Sequence, residues 1–157
     1  MNAFNQKSDI GAKIAFKREL ESRGYTEVRV IGSPADIRAC RDDHEYLFEI
    51  KATSKSNNYF GAATITEWEA ALRAPNYFRF VIVRQNGSLW EFREYTPDEF
   101  IQYSDIPPFK VYFRVPLTDV PKRVTAKRRK AVAATLENLR HMIEFRAKLK
   151  EAHDNQM

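Results

Sequence analysis

The chain has 157 residues, a formal net charge of +5, a single cysteine and 43% hydrophobic residues. This length and apolar share suit one domain with a sizeable core and exclude a low-complexity or disordered chain. One cysteine excludes an intrachain disulfide, and the scattered His44, His141 and His153 argue against a zinc site of cysteine and histidine.

No apolar run has the length to cross a bilayer, and Met1–Lys7 lacks the apolar core of a signal peptide. A reducing, cytoplasmic setting is therefore expected. Ser8 or Asp9 can cap a first helix running to about Arg23, with Ala12, Ala15, Phe16 and Leu20 at helical spacing toward the core. Gly24 stands where a left-handed cap would end that helix. Thr26–Ile31 alternates as a strand, and Gly32-Ser33-Pro34 breaks it. A second strand is expected over Ala35–Cys40 and a third over Glu45–Thr53, joined by the polar hairpin Arg41-Asp42-Asp43-His44.

In the third strand Tyr46, Phe48 and Ile50 share one apolar face, while Leu47, Glu49, Lys51 and Thr53 share the other. Ser54–Gly61 reads as a polar loop carrying Lys55, Tyr59 and Phe60. Thr64-Ile65-Thr66-Glu67 and Thr66-Glu67-Trp68-Glu69 both have capping-box spacing for a short helix with Ile65, Trp68 and Leu72 on one side. Tyr77–Arg84 is a β-prone run, and Asn86-Gly87 signals a tight turn into an antiparallel return over Ser88–Tyr95. Thr96-Pro97-Asp98-Glu99 starts another short helix, Pro107-Pro108 breaks the chain, and Phe109–Val115 alternates as a further strand.

A long helix is expected from about Val124 to Ala152, with Val132, Leu136, Leu139 and Ile143 as an apolar seam facing its own domain or a second subunit. Between residues 121 and 152 stand ten Lys or Arg against three Glu. Such a segment suits a polyanion, DNA first and RNA second, and Lys127, Arg128, Arg129 and Lys130 are its densest cluster, with Lys55 a further candidate contact. The plainer reading is a solvated helix face. The expected organisation is an α/β domain over residues 1–120, a mixed sheet flanked by helices, followed by the basic helix over 121–157.

The residues that carry chemistry are Asp36, Glu49 and Lys51. Two carboxylates supply hard oxygen ligands for Mg²⁺ or Mn²⁺, and the carbonyl of Ile50 can join them. A lysine one pleat along from Glu49 can reach an attacking water or a phosphate. Crowding two carboxylates raises the proton affinity of one, and a cation reverses that shift. The plainer alternative is a surface hairpin with a weak Glu49–Lys51 pair, against which the interleaved apolar residues argue.

At these positions the chain resembles the PD-(D/E)xK, or restriction-endonuclease-like, nucleases. Pro34-Ala35-Asp36 stands where those proteins have Pro-Asp, with one residue inserted, and Glu49-Ile50-Lys51 matches their second element. More narrowly, Phe48–Thr53, Tyr59-Phe60, Ile65–Ala71 and Tyr77–Val81 are similar to the NO VEIN C-terminal-like branch. The resemblance implies a restriction-endonuclease-like core and Mg²⁺-dependent DNA cleavage, with Asp36 and Glu49 on the metal and Lys51 assisting the nucleophile. One departure stands out. Many members carry a glutamate early in the first helix after a glycine, whereas here Gly11 is followed by Ala12 and Lys13.

Three functions compete. The first is a metal-dependent DNA endonuclease, which for double-strand cutting would be served by a homodimer through the last helix. The second is an inactive nuclease-fold protein that binds nucleic acid or a protein partner. The third is a dimerisation protein built on the long helix.

Overall fold

The structure is a computed structural model that describes residues 3–106, 110 and 126–155. The chain forms two compact units, Met1–Tyr103 and Ser104–Met157. The first contains α1 (Ala3–Ser22), β1 (Thr26–Val30), β2 (Ile37–Arg41), β3 (His44–Thr53), α2 (Ile65–Arg73), a 3-10 turn at Pro75–Tyr77, β4 (Phe78–Asn86), β5 (Leu89–Tyr95) and α3 (Pro97–Ile101). The five strands form one sheet in sequence order. All neighbours are antiparallel except β3 and β4, which run parallel and are joined through α2. This is the expected mixed α/β architecture.

One face of the sheet is closed by α1. Ala12, Phe16 and Leu20 are completely buried against Ile37, Ala39, Phe48, Ile50, Val81 and Val83. The aromatic ring of Phe16 lies edge-on to Phe48 and tilted against Phe92. On the other face, Trp68 of α2 packs on Phe80, and Phe80 stacks on Phe100 of α3. Both tryptophans serve packing, Trp68 buried and Trp90 partly buried against the α1 core. The two-sided cover explains why β3 and β4 read as nearly continuous apolar runs.

Several boundaries differ from the sequence reading for identifiable reasons. Helix α1 begins at Ala3, well before Ser8, because no glycine or proline interrupts the first turns. Asp9 therefore lies inside the helix and pairs with Lys13 one turn on. Strand β1 is irregular between Thr26 and Arg29, where Glu27 adopts a positive φ of 51°. That bulge buries Val28 and leaves Val30 half exposed. Strand β2 starts at Ile37, later than Ala35, so Asp36 stands just outside the ladder. The β2–β3 hairpin turns on two residues of positive φ, Asp42 and Asp43, with Arg41 opposite His44.

Of the two capping boxes, the first is formed. Thr64 Oγ1 accepts from the N–H of Glu67, and the Glu67 carboxylate accepts from the N–H of Thr64 at 2.9 Å. A Thr64→Ala substitution is expected to cost about 1 kcal/mol, read as a lower urea midpoint with an unchanged slope.

The second unit contains α4 (Ala126–Asp154). Of the expected seam, Val132, Leu136 and Ile143 are about half exposed and Leu139 is partly buried. The strand expected over 109–115 lies outside the described residues, Lys110 excepted, as does the Pro107-Pro108 break. No helix among the described residues is long and apolar enough to cross a membrane.

Candidate active site

The site forms where β2 leaves the sheet and β3 continues alone beside β4. Ile37 lies opposite Phe48, and the N–H of Asp36 still donates to the Phe48 carbonyl at 3.1 Å. Ile37 and Asp36 are thus both set against Phe48, a local irregularity that ends the ladder and leaves the Asp36 carboxylate near that of Glu49. The ladder ends there because the Asp36 side chain takes over. Its Oδ2 accepts the N–H of Ile50 at 2.9 Å, a bond that a further residue of β2 would otherwise supply. Within a strand, N–H and C=O of one residue leave on the same side, so the Ile50 carbonyl faces this opening too.

Alternation along β3 then does the sorting. Phe48 and Ile50 enter the α1 core, while Glu49 and Lys51 face α2. Glu49 is the one charged residue among the described ones that is buried, at 6% exposure. Lys51 Nζ lies 3.0 Å from Glu49 Oε1 and 2.9 Å from Glu67 Oε2. Glu67 is thus a member of the site that the sequence reading did not single out. Its capping-box spacing was visible, but nothing local reports that Lys51 reaches it. A second addition is Lys13 of α1, whose Nζ lies 2.8 Å from Asp36 Oδ1 and 2.9 Å from Asp9 Oδ2.

The charges are unequal. These ion pairs join four carboxylates, Asp9, Asp36, Glu49 and Glu67, to two ammonium groups, Lys13 and Lys51. Burial, and then the nearby Asp36 carboxylate, push the Glu49 carboxyl up to about 8, against the opposing pull of Lys51. Burial would lower Lys51, but Glu49 and Glu67 outweigh it and hold the ammonium above its ordinary range. For Glu67 burial is likewise overridden, by hydrogen bonds from Lys51 and from the Thr64 backbone, and its carboxyl lies below the usual range. Lys13 is raised, despite burial, by Asp36 and Asp9.

Such a surplus of negative charge suits a small hard cation. Among the described residues no group of three or more His, Cys, Asp and Glu side chains is arranged to hold a metal by itself. Two carboxylates, Asp36 and Glu49, with the Ile50 carbonyl beside them, are the groups that could serve as donors. That is the sparse protein shell Mg²⁺ accepts, since it keeps several waters.

The remaining candidates are dispersed. Lys55 is exposed on the connection between β3 and α2, its N–H donating to Thr53 Oγ1. Lys127, Arg129 and Lys130 are exposed on the first turns of α4, on which Arg128 also lies. Phe60 is almost fully exposed on the β3–α2 connection, with Tyr59 more sheltered beside it. Cys40 is not suited to be a nucleophile, because desolvation and the Glu27 carboxylate raise its thiol and disfavour the thiolate.

A mixed sheet with an acidic and lysine-bearing cluster at the open end of its parallel strand pair defines an α/β domain built around a half-buried polar site. The family described as Protein NO VEIN, C-terminal, matches residues 10–94, more than half of the chain, and the chain belongs to that family. The matched span runs from α1 through β5 and includes Lys13, Asp36, Glu49, Lys51 and Glu67. Searches of curated proteins and of solved structures found no match.

Proposed function

We propose that the chain is a nuclease of the PD-(D/E)xK type that hydrolyses phosphodiester bonds of DNA with Mg²⁺ or Mn²⁺. The observation that carries this reading is the convergence of Asp36, just before β2, with Glu49 and Lys51 of β3, with more carboxylates than ammonium groups around them. Asp36 and Glu49 would hold the cation, with the Ile50 carbonyl beside them. The cation, when bound, would polarise the phosphoryl group and acidify a water.

Lys51 is held protonated, so its contribution is electrostatic, not that of a proton acceptor. Two of its three N–H groups donate to Glu49 and to Glu67, which fixes the ammonium from the α2 side, and the third is left to donate toward the water or the charge developing on the phosphate. Lys55, Lys127, Arg128, Arg129 and Lys130 are the residues we assign to backbone phosphates, of DNA before RNA. A single cysteine suits action in the reducing cytoplasm.

The test is nicking of supercoiled plasmid by the full chain. Cleavage is expected with Mg²⁺ or Mn²⁺, none with EDTA, and none from Asp36→Asn, which keeps an acceptor for Ile50 N–H but loses the charge. Cutting that survives in Asp36→Asn refutes the assignment.

A second reading is favoured by one contact, that of Lys13 with Asp36. An ammonium there can balance Asp36 permanently and leave a nuclease-like domain that binds nucleic acid, or a protein partner, without cutting. It requires salt-sensitive DNA binding, no cleavage with any divalent ion, and no Mn²⁺ heat on titration.

A further inference from the structure

Lys13 occupies a defined place in the site. Its helix is anchored by Ala12 and Phe16, both completely buried, on either side of it. The backbone that carries the ammonium is therefore fixed against β3. The ammonium touches two carboxylates, Asp36 Oδ1 at 2.8 Å and Asp9 Oδ2 at 2.9 Å. The two differ in setting. The Asp36 side chain is 17% exposed and its other oxygen is committed to Ile50 N–H, whereas Asp9 is 45% exposed. A cation entering beside Asp36 and Glu49 must share or take Oδ1 from Lys13. Asp9, one turn back on the same helix, can retain the displaced ammonium without a change of backbone.

We propose that Lys13 is an intrinsic counter-cation that competes with a divalent ion for Asp36, with Asp9 as the partner to which it retreats. The pair then sets the concentration at which the site loads. This inference rests on the reading of Asp36 and Glu49 as a cation site, and concerns what controls its occupancy. Removing the Lys13 charge frees Oδ1 and strengthens cation binding. Removing the Asp9 charge leaves Asp36 as the remaining carboxylate of the pair and weakens it.

Calorimetric titration of MnCl₂ into the full chain tests this, with thermal melts confirming that each variant is folded. Lys13→Gln is expected to bind Mn²⁺ about tenfold more tightly than wild type, the equivalent of ~1.4 kcal/mol. Lys13→Glu, which adds a carboxylate, should gain at least as much. Lys13→Arg keeps the charge and should stay near wild type, and Asp9→Asn should bind more weakly. Binding by Lys13→Gln where wild type shows none also supports the proposal. Equal or weaker binding by Lys13→Gln beside a wild type that does bind overturns it while leaving the cation site standing. Absence of Mn²⁺ heat from wild type, Lys13→Gln and Lys13→Glu alike overturns both.

Discussion

Lys51→Ala is expected to lower metal-dependent cleavage by about 10²–10³-fold, the cost of removing one preorganised charge partner from a reacting centre. It should also lower stability. Glu49 and Glu67 share the Lys51 ammonium, and its removal leaves both without that partner in a largely buried setting. Breaking a buried pair by deleting one member is strongly destabilising. Here Lys51 is 15% exposed and Glu49 can take up a proton, so the loss should be smaller, about 1–3 kcal/mol.

The two effects separate in a double variant. Adding Glu49→Gln removes the carboxylate that Lys51 balanced, and should restore much of the stability without restoring cleavage. Urea denaturation and plasmid nicking measure the two quantities. Wild-type cleavage by a folded Lys51→Ala protein would remove this lysine from the chemistry.

Stability is expected to fall as pH rises from the ordinary glutamate range toward 8. Folded Glu49, pushed up to about 8 by burial first and Asp36 second, still holds a proton that the unfolded chain has already released. Throughout that window the native state binds more protons, and raising the pH therefore favours unfolding. The neighbouring groups act elsewhere. Lys51 is raised, so its contribution is present below the ordinary lysine range and disappears only at alkaline pH. Glu67 is lowered, so its contribution is present above the ordinary glutamate range and disappears as the solution is acidified.

Glu49→Gln should flatten the dependence of Tm on pH and melt above wild type at pH near 8. Mn²⁺ should raise the wild-type Tm there and leave Glu49→Gln nearly unmoved, because a ligand stabilises only the state that binds it. Parallel pH profiles for the two proteins would refute this account of Glu49.

The parts of the fold encoded by local pattern were legible. The alternation of β3 separated Phe48 and Ile50 from Glu49 and Lys51, and the structure sends them to opposite faces. Gly24 and Gly87 have the positive φ that their positions implied. What was not legible depends on neighbours distant in sequence. Lys13 with Asp9 looks like an ordinary one-turn helix pair, and only the packing of α1 on the sheet brings Asp36 to the same ammonium. Glu67 is fully explained locally by its cap, so its second partner on β3 leaves no trace in spacing. The bulge at Glu27 is equally silent, since Thr26–Val30 reads as plain alternation.

The connection from β3 to α2 is held at both ends by one small set of side chains. It leaves the strand just beyond Lys51 and arrives at Thr64, whose N–H donates to the same Glu67 oxygen that Lys51 grips. Residues 54–63 thus behave as a cassette clamped in a vice. Their length and sequence can be exchanged at little entropic cost while the jaws keep their spacing.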